Sequence, residues 1–202
     1  MLEINSFEGK TKEETIEKAI SSLELAETEM FMFFNERETK LFKNKKMELL
    51  VLKNEDLIAY LKNHFNELSK LMEIDIKSEI KIREKIVNIN LITSQNALII
   101  GKNGQTLNAL QHLLKQTLKN KTNFNIKINI DVSDYKGKKR KYLEYEIKNL
   151  CNEVIKTKMD IQLEPMNSYD RRIVHNIINN YQELESISSS EEPNRFITIK
   201  HK

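Results

Sequence analysis

A glycine pair set into an apolar segment constrains the fold of this 202-residue chain more than any other feature. Ile99-Ile100 come directly before Gly101-Lys102-Asn103-Gly104, and leucines then recur at helical spacing. Glycines let the backbone approach another backbone closely, and Lys102 adds a cation between them. A helix that begins at Gly104 presents N–H groups and its positive dipole end, which favour a phosphate. The segment therefore predicts a loop that contacts a phosphate group.

The segments around this loop show two periodicities. Residues 57–72 carry apolar side chains at helical spacing, whereas residues 74–82 alternate isoleucine with charged residues. A second alternating stretch covers residues 87–91, a short helix is predicted for residues 94–100, and residues 124–132 alternate strictly. The predicted order is α-β-β-α-α-β, with the glycine loop between the two adjacent helices.

This order resembles that of a type II KH domain over residues 55–132. KH domains hold single-stranded nucleic acid by clamping its backbone with a GXXG loop. The resemblance implies that Gly101, Lys102, Asn103 and Gly104 contact the backbone of single-stranded RNA or single-stranded DNA. Aliphatic side chains, including Ile99 and Ile100, would then face the bases.

The first 53 residues are predicted to form a β-α-β-β unit. Leu2 and Ile4 suggest a short strand, and Thr11 with Glu14 forms a capping-box pattern that opens a helix. Alternating stretches at residues 30–34 and 47–51 predict two further strands. About fifty residues are marginal for an independent core, so we expect support from the neighbouring segment.

The C-terminal segment begins with a basic run that contains Lys138, Lys139 and Arg140. Because the run lies between two candidate binding segments, these residues are candidate phosphate contacts; a solvated helix start is an equally good interpretation. A long helix to about Met159 follows, then a short strand at residues 161–163 and a last helix.

Arg171 and His175 lie four residues apart on that last helix, at the edge of its apolar arc, whereas Arg172 points away from it. The stretch Glu164–His175 and the predicted hairpin turn Glu191–Arg195 resemble an R-3-H domain, which covers residues 136–201. The resemblance implies that Arg171 and His175 bind single-stranded nucleic acid. The alternative for His175 is a partly buried residue that is hydrogen-bonded to a neighbour.

The residues from Phe7 to Ala19 resemble the N-terminal domain of Jag proteins, and the sequence is identified as a member of the Jag (KhpB, SpoIIIJ-associated) family. We therefore expect an α+β fold with three small domains: a β-α-β-β unit at 1–53, a type II KH domain at 55–132 and an R-3-H-like α/β domain at 134–202. One departure is the segment Glu38–Lys46, which lacks the glycines of the family's turn and is predicted to be a solvated hairpin tip.

Membership implies a bacterial cytoplasmic RNA-binding regulator that modulates RNA fate and cell-envelope growth or division. It also implies a small stand-alone KH protein, or a second copy of this chain, as the protein partner. The alternative is a protein-interaction scaffold in which the KH or N-terminal surface binds a protein and RNA contact is secondary. The mild charge and the unusual turn at residues 38–46 keep this alternative open.

Charge and composition narrow the function classes. The net charge of +3 divides into −2, +3 and +2 over residues 1–53, 54–132 and 133–202, so nucleic-acid affinity should depend on local contacts. The single cysteine, Cys151, fits a reducing cytoplasm and is predicted to be a core residue. No apolar stretch reaches membrane-spanning length, and no cluster has zinc or two-metal spacing. We expect no membrane insertion, no cofactor or metal, and no enzyme activity.

Overall fold

Three sheets of three strands each run through the part of the chain that the computed structural model describes, residues 2–38 and 45–202. The chain divides into two units, Met1–Ser133 and Asp134–Lys202. The first unit contains two of the sheets and the second unit contains the third. Helices pack against each sheet, which confirms the predicted α+β fold class.

The first sheet is antiparallel, with the strand order β1-β3-β2. Its elements follow the predicted β-α-β-β order: β1 Asn5–Gly9, α1 Lys12–Leu23, β2 Met30–Glu38 and β3 Lys45–Lys53. The first strand begins at Asn5, later than the Leu2 and Ile4 pattern suggested. Because Asn5 pairs with Val51 near the end of β3, the ladder has ended before it reaches Leu2.

Helix α1 begins at the predicted capping box. The Thr11 hydroxyl accepts the Glu14 N–H at 3.2 Å, and the Glu14 carboxylate accepts the Lys10 N–H at 2.8 Å. The buried core of this segment contains Ala19, Met30, Leu49 and Val51. Residues 39–44 of the glycine-free segment lie outside the described residues, so its solvated hairpin tip stays a prediction.

The second sheet has the order β4-β5-β6, in which β4 and β5 are antiparallel and β5 and β6 are parallel. The elements are α2 Asn54–Met72, β4 Lys77–Arg83, β5 Ile86–Ile92, α3 Asn96–Ile100, α4 Gln105–Thr122 and β6 Lys127–Val132. This is the predicted α-β-β-α-α-β order. Strands β4 and β6 begin three residues later than the alternation suggested, although Ile74, Ile76, Phe124 and Ile126 are all buried. The alternating pattern therefore indicates which side chains are buried, and it extends beyond the residues that are hydrogen-bonded in the strands.

The first two segments are joined without a linker, because β3 ends at Lys53 and α2 begins at Asn54. The Phe33 ring of the first sheet stacks on Phe124 with ring centroids 3.6 Å apart. Lys85, in the β4–β5 turn, donates from Nζ to the carbonyl oxygens of Glu27 and Met30, each at 2.5 Å. The small N-terminal sheet thus obtains from its neighbour the support that its size requires.

Partial burial of Lys85 has an electrostatic consequence. It lowers the pKa of the ammonium group, and the nearby Glu27 carboxylate acts in the opposite direction. The two carbonyl acceptors satisfy the ammonium where bulk water is partly excluded. Lys85 therefore serves the connection between the two segments.

The third sheet is antiparallel, with the order β7-β9-β8. The elements are α5 Tyr135–Thr157, β7 Ile161–Gln162, α6 Ser168–Ile178, β8 Leu184–Ser189 and β9 Phe196–His201. Cys151 is completely buried in the core between these elements, as predicted, and burial raises the pKa of its thiol to about 11. Within the described ranges, no helix combines the length and the apolar composition that crossing a bilayer requires.

Candidate nucleic-acid interface

The GXXG loop has a backbone that requires glycine at its first position. Gly101 has φ of +70°, and a Cβ added there would lie 2.1 Å from the Thr106 hydroxyl oxygen. Asn103 and Gly104 also have positive φ values, +53° and +83°. Three residues with positive φ among four turn the chain sharply between α3 and α4. The glycine spacing is thus a consequence of backbone geometry and steric space.

The surface of this loop suits an anion. Lys102 and Asn103 are exposed at its tip, and the first turn of α4 contains no acidic residue. The positive end of the α4 dipole is therefore not neutralised by its own helix. A phosphate at this position would meet the helix N-terminus and the Lys102 ammonium together. The phosphate contact itself stays a prediction.

The two isoleucines before the loop have different environments. Ile99 is only 1% exposed and packs in the core, whereas Ile100 is half-buried. The prediction that Ile99 faces the bases therefore needs correction, because its side chain is enclosed by protein. Leu98, which is 52% exposed, presents the apolar surface on α3 that the prediction assigned to Ile99. Successive side chains of a helix are about 100° apart, so neighbouring residues of α3 have different degrees of burial.

The basic run at the start of α5 is partly engaged in protein contacts. The Lys139 ammonium lies 2.6 Å from the Asp170 carboxylate on α6, and the Arg140 guanidinium lies 2.8 Å from Glu144 one turn later. Lys138 is exposed. Lys139 therefore braces α5 against α6, and a phosphate contact would have to compete with that ion pair.

The first turn of α6 is fixed by a polar network around Asp170. Asn167 caps the helix by accepting the Asp170 N–H at 3.0 Å, and its own amide group donates to the Asp170 carboxylate at 2.8 Å. The same carboxylate oxygen accepts from Lys139. The network sets the orientation of the next residue, Arg171.

Arg171 is buried, with 7% of its surface exposed. Its guanidinium donates to the Met166 carbonyl oxygen and to the Glu192 carboxylate, each at 2.6 Å. Glu192 lies in the β8–β9 connection, so Arg171 ties α6 to that hairpin. The structure thus places the first residue of the Arg-xxx-His pair in a supporting position, with its charge directed into the protein.

His175 is half-buried, and its Nδ1 is hydrogen-bonded to the Ser186 hydroxyl of β8 at 2.6 Å. Burial, followed by the positive charges of Arg171 and Arg195, lowers the pKa of the imidazole from its ordinary value of 6.5. These surroundings favour the neutral form of the ring. This geometry agrees with the alternative that the sequence left open, a partly buried histidine with a hydrogen-bonded neighbour.

Arg195 is a candidate that the sequence did not single out. It is exposed, and its charge reaches the His175 ring although it belongs to the hairpin turn. The sequence pattern of residues 191–195 predicted a turn but gave no sign of its proximity to α6. Arg172 is exposed as well, in agreement with its predicted direction away from the apolar arc.

The buried position of Arg171 predicts a stability effect. We expect Arg171→Ala to lower the free energy of unfolding by about 1.5–3 kcal/mol, because two charge-assisted hydrogen bonds are lost. Urea denaturation of the full chain measures this difference. The matched control is Arg172→Ala, which should stay within about 0.5 kcal/mol because its side chain is exposed. An Arg171→Ala protein as stable as the parent would contradict the supporting role.

His175 predicts a pH dependence of stability. The pKa of His175 in the folded protein lies below the ordinary value of 6.5. Its contribution to the free energy of unfolding is therefore complete above pH 6.5 and is lost as the pH falls through the folded-state pKa. Between about pH 7 and pH 5, the parent should therefore lose more stability than His175→Gln. His112→Gln, at an exposed histidine, is measured in parallel as a control for the substitution itself. An NMR titration that placed the His175 pKa above 6.5 would reverse the expected sign.

Comparisons with known proteins agree with both motifs. Residues 56–130 match the KhpA/KhpB KH domain, and residues 141–201 match the R-3-H domain. The RNA-binding protein KhpB of Clostridium symbiosum is 30% identical over 204 residues, covering 96% of this chain and 90% of that protein. The protein of the same name from Bacillus subtilis (strain 168) is 35% identical over 130 residues, 62% of each chain. That of Streptococcus pneumoniae serotype 2 is 25% identical over 144 residues, covering 71% of this chain and 43% of its own. Because the first of these similarities extends over nearly the whole of both proteins, this chain belongs to the Jag (KhpB) family.

Proposed function

We propose that this chain is a bacterial RNA-binding regulatory protein that holds single-stranded RNA at two places. The first is the GXXG loop, Gly101 to Gly104, with the exposed side chains of Lys102 and Asn103. The second is the surface of α6 and the β8–β9 hairpin that contains His175 and Arg195 and that Arg171 supports.

The observation that carries this proposal is the geometry of the GXXG loop. A positive-φ backbone brings an exposed lysine to the start of a helix whose first turn has no carboxylate. Backbone amides and the helix dipole favour a phosphate there without reading a base. A loop of this kind suits a single strand, whose backbone is accessible while its bases are splayed out.

The second place rests on side chains that converge between α6 and the hairpin. The Arg171–Glu192 ion pair holds the two elements together, and His175 is hydrogen-bonded to Ser186 across the same gap. Arg195 then supplies an exposed cation beside the imidazole. In this proposal the buried arginine orients the surface, while His175 and Arg195 make the contacts.

The names of the relatives support RNA as the ligand, since each is described as an RNA-binding protein. Membership of the family adds a regulatory role in RNA fate, with effects on cell-envelope growth or division. A small stand-alone KH protein or a second copy of this chain is the proposed protein partner. The proposed location is the cytoplasm.

A charge reversal in the loop tests the clamp. Lys102→Asp combined with Asn103→Asp should weaken the binding of single-stranded RNA at least about tenfold, because carboxylates would repel the phosphate. The fold should survive, since both positions are exposed. Fluorescence anisotropy with a labelled oligonucleotide and a thermal melt measure the two effects.

The chain offers a matched control for this variant. Lys62 and Asn63 form the same dipeptide on the exposed face of α2, so Lys62→Asp with Asn63→Asp makes the same charge change away from the loop. The control should bind as the parent does. Equal affinities for the loop variant, the control and the parent would exclude the clamp.

Selectivity for single strands is the second expected property. Single-stranded RNA should bind more tightly than a duplex of the same sequence, because the loop admits one strand and the bases must be accessible. With few phosphates contacted, log Kd should change with log salt by about 2–4, at roughly 0.7 per contact. Titrations at several salt concentrations measure this slope. A preference for duplex, or a slope near about 10, would indicate a different surface.

A further inference from the structure

Helix α5 presents a continuous polar stripe that lies outside the GXXG loop and the Arg171–His175 pair. The stripe consists of Lys141, Tyr142, Tyr145, Lys148, Asn149 and Asn152, and all six side chains are exposed. At 3.6 residues per turn, they fall within an arc of about 120°. This arc lies opposite the side of the helix that buries Ile147 and Val154. We call this surface the outer stripe of α5.

The charge of the outer stripe has one sign. It contains two lysines and no carboxylate, and Lys138 and Lys156 extend the same arc at its two ends. The acidic residues of α5 lie outside the arc, and one of them, Glu144, is paired with Arg140. Exposed Glu153 borders the stripe at its C-terminal end, where it lines the same surface depression as Asn149 and Asn152. The stripe is therefore most complementary to an anionic ligand around Lys141 and Lys148.

Two large aromatic rings stand in the middle of this positive surface. Tyr142 and Tyr145 are 68% and 67% exposed, so packing within the domain does not account for them. They are three residues apart, which places their side chains next to each other on the helix surface. Exposed aromatic rings between lysines are the combination that binds single-stranded nucleic acid, in which bases stack and phosphates meet cations.

The dimensions of the stripe agree with an extended strand. From Lys141 to Lys156 the helix rises by about 23 Å at 1.5 Å per residue. Phosphates along one strand of a duplex are about 3.4 Å apart, so this length spans six or seven of them in a stacked strand and fewer in an extended one. The stripe is thus long enough for several lysine–phosphate contacts on either side of the two tyrosines.

We propose that the outer stripe of α5 is a third binding surface for single-stranded nucleic acid, on which Tyr142 and Tyr145 each stack against a base. The two asparagines can donate to phosphate or sugar oxygens next to the stacked bases. The surface needs no particular sequence, because every base has a flat π face. This inference extends the proposed function and rests on the chain binding a single strand.

Substitution of the two tyrosines tests stacking directly in the full chain. Tyr142→Leu with Tyr145→Leu should raise the Kd for a single-stranded RNA of about ten nucleotides by tenfold or more, since the stacking surface is lost. Tyr142→Phe with Tyr145→Phe keeps the rings and should bind within about twofold of the parent. Because these side chains are exposed, the two double variants and the parent should melt alike.

A second pair of variants tests the charges. Lys141→Glu with Lys148→Glu should weaken binding and reduce the salt slope by about 1.4, which corresponds to two lost phosphate contacts. Lys62→Glu with Lys70→Glu makes the same charge change on exposed positions of α2 and is the matched control. Binding of single-stranded DNA of the same sequence is measured in parallel. Equal losses of affinity for RNA and DNA indicate stacking and charge. A loss of affinity for RNA alone indicates contacts to the 2′-hydroxyl on the same surface.

The intrinsic fluorescence of the chain gives an independent readout. The protein has six tyrosines and no tryptophan, so tyrosine emission is directly observable. Unlabelled RNA should quench the emission of the parent, and the double leucine variant should lose that part of the quenching. If the leucine variant binds RNA as tightly as the parent does, the outer stripe is excluded as a binding surface. That result does not affect the proposed GXXG clamp, which the loop variant tests. If the parent binds no single strand, both proposals are overturned.

Discussion

Each three-stranded sheet of this protein must bury an apolar face beneath helices, and this requirement decides which surfaces remain for a ligand. Leu49 of the first sheet shares a buried cluster with Ala19 of α1, and Ile199 packs in the core of the third sheet. Ile89 of the second sheet and Leu107 of α4 are also buried. Such small layers are filled by their own side chains. Ligand contacts are therefore left to loops, helix termini and outward helix faces, which suits a long flexible ligand better than a small molecule.

The order of helices and strands could be predicted from the sequence because burial imposes its period on the chain. The aliphatic residues at every second position, such as Val87, Ile89 and Leu91 of β5, are predictable from burial with a period of two. The positions of Ile99 and Arg171 were harder, because their exposure depends on neighbours that are distant in sequence. Glu192 lies 21 residues from Arg171, and periodicity carries no information about such a contact. For the same reason, Arg195 could not be connected with His175.

Several cations of this protein serve its own structure. Lys85 donates to carbonyl oxygens of the first sheet, Lys139 holds Asp170, and Arg171 holds Glu192. The formal charge of +3 therefore does not describe the positive surface that a polyanion would meet. Exposed lysines occur on several elements, among them Lys102 in the GXXG loop and Lys141 and Lys148 on α5. Distribution, more than total charge, determines where an acidic ligand would bind.

The direct passage from β3 into α2 limits where residues can be inserted near the junction of the first two segments. Insertion of one residue between Lys53 and Asn54 would turn the helix by about 100° relative to the sheet before it. The stacked rings of Phe33 and Phe124 would then separate, and Lys85 would lose its two acceptors. The junction thus fixes the rotation of α2 about its axis relative to the strand β3. Insertions that keep this rotation are confined to the loops on either side.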